Sequence, residues 1–441
     1  MKKIELSDHF TCLKLLVYSI PAIAMAIVIL SFSLVDGYFV SNLLGVTPFA
    51  AVEFVTPVFL VLYAIGFLFG SGSSAVIARL IGQEDMDRAR QCFSMVVVSM
   101  SIVGVIMAVI TVMLLPQILI LLGVTEEIFK DSVTYGRYLL IFLAFHIIVA
   151  GFQSIWVTTG RTGVGFVVSL VNGVTNVVLD WFLISKVKMG VAGAGIATSI
   201  GAIVGTAIII VYFSIKDDSR LYFVSFRFDF RQLGNIAFNG ASEMVDTVAE
   251  NITSLVFNRQ LLHLIGYEAV AAMGVYNYVM GVFLSFFYGI SSTTVTVVGY
   301  KYGRGEKDEI NSVLKNGTIL SLIFGVIAFA ACIVFADPIS ELYVGYDKNI
   351  LPFAIRILKI NSLSCIFYGV VVFIAAFFTG LDDGLASVII SFMLSLLVPV
   401  VAIYELPIVF GLDAIWFSLP LASVVSVMVC IILLKLRYKA K

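Results

Sequence analysis

Four oxygen-bearing side chains interrupt the apolar segments of the first half of the chain. Asp36 lies within an otherwise apolar stretch, and Asn176 and Asp180 are four residues apart, so on a helix they share one face. Thr198 lies about two turns into the apolar segment that follows. Ionisable groups inside a membrane are costly unless they are paired, hydrated or metal-bound. Two carboxylates, a carboxamide and a hydroxyl form an oxygen-rich set that suits a small hard cation such as Na⁺.

These residues have other interpretations. A carboxyl group in a low-dielectric cavity favours its neutral form, so Asp36 could take up and release a proton. Alternatively, Asp36 or Asp180 only caps or pairs within a helix bundle, and Asn176 and Thr198 make ordinary hydrogen bonds between helices. The sequence does not show whether the four side chains converge, so all three interpretations stay open.

A second group of carboxylates lies in the second half of the chain. Glu243, Asp246 and Glu250 follow an i, i+3, i+7 spacing, and no Lys or Arg follows until Arg259. Like charges at this spacing repel each other, so the stripe should face water, a cation or a proton rather than lipid. We interpret it as a cavity wall that attracts a cationic substrate; the alternative is that Glu243 is simply solvated at the helix end.

The apolar segment after this stripe is rich in aromatic and methionine side chains. Aromatic faces attract organic cations, and flexible methionines suit a promiscuous binding site. Ordinary packing and interfacial aromatic belts explain such residues equally well. The predicted substrate cavity combines the three acids with four of these side chains: Glu243, Asp246, Glu250, Met273, Tyr276, Met280 and Phe287.

Composition defines the class of protein. Hydrophobic residues make up 61% of the 441 residues and charged residues 12%, whereas soluble domains are nearer half and a quarter. Lipid must therefore be the solvent for most of the chain. A net charge of −1 leaves no basic surplus for phosphates, which argues against nucleic acid as a partner. The five cysteines lack metal-binding spacing and are interpreted as small core residues.

Twelve apolar segments of about 20 residues or more predict an all-α membrane protein with twelve transmembrane helices. The first segment is too long for the apolar region of a signal peptide. The polar stretch 216–231 has six segments on either side. The predicted domains are an N-terminal six-helix lobe (1–215), a cytoplasmic linker (216–231) and a C-terminal six-helix lobe (232–441).

Positive charges predict the orientation. Of the 27 Lys and Arg residues, 19 lie in the termini and in the loops that follow even-numbered helices. Cytoplasmic loops are enriched in Lys and Arg. We therefore expect a multi-pass protein of the cytoplasmic (inner) membrane with both termini in the cytoplasm.

The two halves resemble each other. Three glycines recur 220 or 221 residues later in similar surroundings: Gly82, Gly160 and Gly190 match Gly303, Gly380 and Gly411. Six helices per repeat in one orientation predict two lobes related by a pseudo-twofold axis along the membrane normal. Transporters of this kind hold their substrate in a central cleft between the lobes.

Enzyme signatures are absent from the sequence. There is no Gly-x4-Gly-Lys phosphate-binding loop, and neither an HExxH motif nor a nucleophile elbow occurs. We therefore expect no enzymatic activity, and any transport must draw on an ion gradient rather than on ATP.

Four local patterns resemble the multidrug and toxic compound extrusion (MATE) family. Pro21 followed by Val35-Asp36-Gly37 is similar to the family's first-helix signature, and residues 66–82 resemble its second helix and exit loop. Asn176-x3-Asp180 followed by residues 190–198 resembles the helix 5 to helix 6 block, and residues 298–303 resemble its C-terminal counterpart. The patterns follow the family order over nearly the whole chain. One departure is Gly240-Ala-Ser-Glu243, where many members carry a proline.

The resemblance implies a function. It places a cation site at Asp36, Asn176, Asp180 and Thr198, and it implies a secondary active antiporter that exports small amphipathic, often cationic, drugs or toxins in exchange for Na⁺ or H⁺. We expect no cofactor beyond the coupling ion, and membrane lipids and small-molecule cargo as partners. A monomer would suffice, although the oligomeric state is open.

Two other functions are compatible with parts of the sequence. A flippase for a lipid-linked saccharide or another lipid belongs to the same wider superfamily, but such relatives more often have extra helices and a basic cavity. A membrane scaffold without a transport cycle would not need duplicated lobes or buried acids.

Overall fold

The computed structural model describes residues 4–217, 221–345 and 347–438. These residues form helices joined by short connections, and no strand occurs among them. The helices are α1 (Cys12–Leu44), α2 (Val46–Gly82), α3 (Met86–Leu121), α4 (Glu126–Leu140), α5 (Leu143–Thr158), α6 (Thr162–Asp180), α7 (Val191–Ser214), α8 (Phe230–Asn239), α9 (Ala241–Leu264), α10 (Tyr267–Gly303), α11 (Lys307–Val344), α12 (Ile350–Asn361), α13 (Cys365–Gly380), α14 (Gly384–Phe392), α15 (Val398–Phe410) and α16 (Ser418–Leu433).

Most of these helices can cross a membrane. Within the described residues, ten spans are long and apolar enough, and α4 with α5 forms an eleventh that is bent by 61°. The helix α9 is 24 residues long, but it carries the acidic stripe in its first half and is therefore less apolar. The prediction of an all-α, multi-pass membrane protein is confirmed.

Contacts divide the chain into two compact units. One unit is Ala24–Gly240, and the other combines the described part of Met1–Ile23 with that of Ala241–Lys441. These units differ from the predicted lobes in two segments, because the start of α1 packs with the C-terminal helices and α8 packs with the N-terminal helices.

Hydrogen bonds attach the first residues to the C-terminal unit. Lys301 is only 1% exposed; its ammonium group donates to the carbonyl oxygen of Ser7 (3.0 Å) and pairs with Glu306 (2.9 Å). The Asn316 side chain donates to the carbonyl oxygen of Phe10 at 2.9 Å. Hydropathy and charge counts carry no information about such bonds, so the sequence does not indicate that the first residues pack with the C-terminal helices.

Close backbone packing attaches α8 to the N-terminal unit. A Cβ atom at Gly72 of α2 would lie 2.0 Å from the carbonyl oxygen of Ile236. A Cβ atom at Gly240 would lie 1.9 Å from that of Leu68. Only glycine permits this approach. The seventh of the twelve predicted transmembrane helices, near residues 235–262, is therefore two helices, α8 and α9, that meet at Gly240 and belong to different units. Asp218, within the predicted linker, lies outside the described residues.

Candidate functional site

The four oxygen-bearing residues of the first half come together on α1, α6 and α7. The Asn176 amide donates to Asp180 Oδ2 (2.9 Å) and to Thr198 Oγ1 (3.2 Å). The carboxyl group of Asp36 lies close enough to that of Asp180 for the two to interact. The i, i+4 spacing on α6 places the amide and the carboxylate on one face, and α7 supplies the hydroxyl group.

This cluster is short of positive charge. Asp180 is fully buried, and one carboxyl oxygen of Asp36 and one of Asp180 are buried without a hydrogen-bond donor. Among the described residues, neither aspartate forms an ion pair with Lys or Arg. Two adjacent carboxyl groups in a low-dielectric site repel each other when both are ionised. A proton or a small cation at this site would neutralise the pair.

Asp180 lies at the point where the helix changes from α-helical to π-helical hydrogen bonding. The α-helical hydrogen bonding of α6 ends at this residue, and a π-helical turn follows at Trp181–Lys186. Single π-turns within helices often mark functional sites because they redirect side chains. Tyr135 of α4 and Glu53 of α2 lie close enough to the aspartates to interact electrostatically with them.

A second acidic cluster lies on α9, within the C-terminal unit. Both carboxyl oxygens of Asp246 accept hydrogen bonds, from Ser391 (2.9 Å) and from Ser395 (2.8 Å). Ser395 belongs to a π-helical turn at Met393–Leu397, and its carbonyl oxygen accepts a bond from Thr253 at 2.6 Å. Each unit therefore pairs a buried acid with a π-turn.

Glu250 lies one helical turn beyond Asp246. Its Oε1 atom accepts hydrogen bonds from the hydroxyl groups of Tyr288 (2.9 Å) and Tyr368 (2.8 Å). Both donors are neutral phenols, so they orient the carboxylate without cancelling its charge. A bound cation could therefore still interact with Glu250.

A cavity of about 140 Å³ lies beside Glu250. Four of the residues predicted to form a substrate cavity, Glu250, Met273, Tyr276 and Met280, line this cavity, and Tyr368 lies in the same wall; that the cavity binds a substrate stays a prediction. Apart from Glu250 and the carboxamide of Asn258, the described side chains that line the cavity are apolar or hydroxyl-bearing, and no Lys or Arg is among them.

Three of the predicted cavity residues lie outside this cavity. Asp246 is held by its two serine partners, and Glu243 lies in the first turn of α9, where it is partly exposed. Phe287 is buried against Gly369, where a Cβ atom would lie 2.2 Å from its ring. The three acids do lie along one stripe of α9, but they contact different neighbours because α9 packs against several helices.

Sequence reasoning missed several partners of the acids. Ser391 and Ser395 are four residues apart, like Asn176 and Asp180, and this spacing was the available signal. Serine is common where membrane helices pack, so the signal is weak. Tyr135 and Tyr368 lie in stretches where nothing in the sequence distinguishes them from packing residues.

No group of three or more His, Cys, Asp or Glu side chains within the described residues could hold a metal ion. A cation at Asp36 and Asp180 would therefore need the amide and hydroxyl oxygens of Asn176 and Thr198 as ligands. Such a set suits a hard cation bound by oxygen, and it does not suit a transition metal that prefers nitrogen or sulfur.

Curated relatives align over almost the whole chain. The multidrug export protein MepA of Staphylococcus saprophyticus subsp. saprophyticus is 23% identical over 425 residues, covering 95% of this chain and 92% of the relative. The protein of the same name from Staphylococcus haemolyticus is 24% identical over 413 residues, covering 92% and 90%.

Solved structures share the fold. A MOP superfamily transporter from Pyrococcus furiosus superposes with a TM-score of 0.92 at 21% identity, covering 100% of this chain and 98% of that one. An outward-facing multidrug resistance MATE family transporter gives 0.91 at 21% identity, with the same coverage. The family profile described as MatE matches residues 21–182 and 244–404, which is most of the sequence. The chain therefore belongs to the MatE family and is a MATE-type membrane transporter.

Proposed function

We propose that this transporter is a secondary active antiporter of the cytoplasmic membrane, with both termini in the cytoplasm. It exports small amphipathic, often cationic, compounds in exchange for Na⁺ or H⁺. The observation that carries the proposal is the buried pair Asp36 and Asp180, with two carboxyl oxygens that have no donor. The relatives named multidrug export proteins support the cargo class.

The coupling step follows from electrostatics. At an effective dielectric constant of about 20, two like charges 4 Å apart repel by roughly 4 kcal/mol. Binding one proton or one Na⁺ between Asp36 and Asp180 removes this repulsion and adds attraction. A transporter whose two access states differ in their affinity for that cation can use its gradient to shift between them.

The C-terminal cavity supports cationic cargo. Glu250 supplies a negative charge, Tyr276 and Tyr368 supply aromatic rings, and Met273 and Met280 supply adaptable apolar surface. Aromatic rings and carboxylates both attract organic cations. A lipid-linked phosphate, the cargo of the alternative flippase, would meet a carboxylate and no basic side chain in this cavity.

Reconstituted vesicles provide the test. We expect efflux of a fluorescent organic cation to be driven by an imposed Na⁺ gradient, a pH gradient or both, and to be abolished by Asp36→Asn. The control is Glu341→Gln, which neutralises an exposed carboxylate of α11 and should transport normally. If the Asp36→Asn protein is correctly inserted and still shows gradient-driven efflux, the proposed coupling site is wrong. If efflux by the unmodified protein depends on neither gradient, antiport is wrong.

A further inference from the structure

Residues 221–229, which lead into α8, are a structured part of the N-terminal unit. The ring of Phe223 stacks on Phe93 of α3, with ring centroids 5.3 Å apart. Its backbone N–H donates to the carbonyl oxygen of Phe213 at 3.0 Å. The backbone N–H of Val224 donates to Ser94 Oγ, also at 3.0 Å. The segment is thus held in place on both sides by α3 and α7.

These contacts fix the depth of the segment relative to lipid. In α3 the last charged residue is Arg90, and residues 91–121 contain no charged side chain. Phe93 and Ser94 therefore lie where the apolar part of α3 begins. Stretches of this length and composition cross the hydrocarbon core, so the segment runs along the boundary between the bilayer and water.

Three phenylalanines project from this segment at alternate positions. The rings of Phe226 and Phe228 are 5.2 Å apart, and those of Phe228 and Phe230 are stacked at 5.8 Å. Phe228 is 44% exposed and Phe230 is 78% exposed. The three rings contact one another in sequence and form one apolar ridge, which is exposed at Phe228 and Phe230.

Two arginines alternate with these rings. Arg227 and Arg231 are both exposed, and in the part of the chain that the structure describes neither has an acidic partner. Arg231 is the second residue of α8, whose N-cap is Asp229; the carboxylate of Asp229 accepts a hydrogen bond from the backbone N–H of Gln232 at 2.9 Å. The guanidinium groups are thus free to meet an anion beside the apolar ridge.

We propose that residues 226–231 form an interfacial anchor that inserts the phenylalanine ridge into the adjacent leaflet and binds anionic phospholipid headgroups through Arg227 and Arg231. Aromatic side chains favour the membrane interface, and basic residues next to an apolar face attract anionic lipids. The occupant is the bilayer itself, because the segment is fixed at the depth where α3 becomes apolar. The anchor thereby holds residues 226–231 on the membrane surface, so that they do not move freely in the water.

Spin labels on the full-length protein in vesicles test this anchor. A nitroxide at Phe228→Cys, on a background freed of native cysteines, is compared with one at Ser225→Cys on the opposite side of the segment. Collision rates with oxygen and with a water-soluble nickel complex report depth. Phe230→Cys serves as a second site in case Phe228→Cys folds poorly.

We expect labels at positions 228 and 230 to be oxygen-accessible and shielded from nickel, and the label at 225 to show the reverse. Insertion should be stronger in vesicles that contain phosphatidylglycerol than in pure phosphatidylcholine. The double change Arg227→Gln and Arg231→Gln should reduce the ratio of inserted to aqueous label by roughly 30-fold in the anionic vesicles, at about fivefold per arginine. Equal nickel access at 225 and 228 would overturn the proposal. So would insertion that is indifferent to phosphatidylglycerol, or shielding from both reagents, which would indicate a second protein chain on the ridge.

Discussion

The buried acids of both units are hydrogen-bonded by neutral groups. Asn176 donates to Asp180, serine hydroxyls donate to Asp246, and tyrosine hydroxyls donate to Glu250. A Lys or Arg partner would neutralise such an acid permanently, whereas a neutral donor orients it and leaves its charge. An acid with only neutral donors can exchange a proton or a cation, which is what the proposed antiport requires of these residues.

The substitution Asp180→Asn tests whether Asp180 acts in cation coupling or in the stability of the fold. The substitution removes one of two adjacent acids and preserves shape, so gradient-driven transport should be lost. Stability should stay constant or rise by about 1 kcal/mol, because the repulsion between the acids is relieved. Thermal unfolding in detergent and vesicle efflux measure the two effects. A strongly destabilised Asp180→Asn protein would show that Asp180 has a structural role.

Glu250→Gln tests how cargo is selected. The change keeps the hydrogen-bonding shape but removes the charge beside the cavity. Transport of cationic dyes should fall about tenfold or more, equivalent to about 1.4 kcal/mol, and neutral or zwitterionic compounds should be less affected. Competition assays with matched pairs of compounds measure the ratio. Equal loss for every compound would place Glu250 in coupling and not in selection.

Tyr368→Phe is the companion change to Glu250→Gln. It removes one donor to the carboxylate without altering the charge, so its effect on cationic dyes should be smaller. If Tyr368→Phe and Glu250→Gln had the same effect, the hydrogen bond and not the charge would determine selectivity.

At the scale of helices, close packing depends on glycines. A Cβ atom at Gly70 of α2 would lie 2.4 Å from the carbonyl oxygen of Gly151 in α5, and one at Gly66 would lie 2.5 Å from that of Ile147. The two backbones are in contact over at least one turn. Neither helix can shift without losing this contact, which keeps α2 and α5 in a fixed register.

Gly70→Ala should destabilise the N-terminal unit. The methyl group has no space between the backbones, and such overpacking costs about 1–3 kcal/mol. Gly163→Ala is the matched control, since no atom lies within 4 Å of a Cβ there. It should be neutral or stabilise the helix by about 0.5–1 kcal/mol. Equal melting temperatures for the two variants would contradict this packing.

The buried Lys301 attaches the N-terminal segment to α10. Partial burial raises the pKa of Glu306, but hydrogen bonds from Lys301 and Arg304 outweigh this effect and hold the pKa below its usual range. A carboxyl group with a lowered folded-state pKa contributes stability that is present above its unfolded pKa, near 4.3. That contribution is lost as the pH falls through the folded-state value.

Lys301→Met should therefore have two effects. Loss of the charged hydrogen bonds should lower stability at pH 7 by about 2 kcal/mol, and the dependence of the melting temperature on pH below about 5 should become weaker. Lys315→Met, at an exposed position of α11, is the control. Unchanged melting curves for Lys301→Met would show that the N-terminal segment is not held by this lysine.

The sequence predicts where the apolar helices lie, but it does not predict where they bend or break. Hydropathy identifies a long apolar stretch, but it gives no sign of the 61° bend between α4 and α5. The division of the predicted seventh helix at Gly240 depends on packing against α2. Such features arise from contacts between distant residues, so no local pattern encodes them.

At the scale of the whole molecule, composition and motif order determined the class and the family correctly. The four residues of the N-terminal cluster were predictable because each is an unusual residue in an apolar segment. Tyr135 beside this cluster, and Ser391 and Ser395 beside Asp246, were not predictable, since a single hydroxyl group in a membrane helix is ordinary. The orientation, the pseudo-twofold relation of the lobes, the coupling ion and the role of the cavity stay predictions.

Reciprocal flux is the most direct test of antiport. Vesicles that contain the purified protein are loaded with a cationic cargo and diluted into cargo-free buffer, with no ion gradient imposed. Dyes sensitive to pH and to Na⁺ then report movement of the coupling cation. We predict that outward cargo movement drives H⁺ or Na⁺ inward, and that this inward movement is absent in Asp36→Asn vesicles. Cargo efflux without any cation entry, or with cation movement in the same direction, would contradict the antiport mechanism.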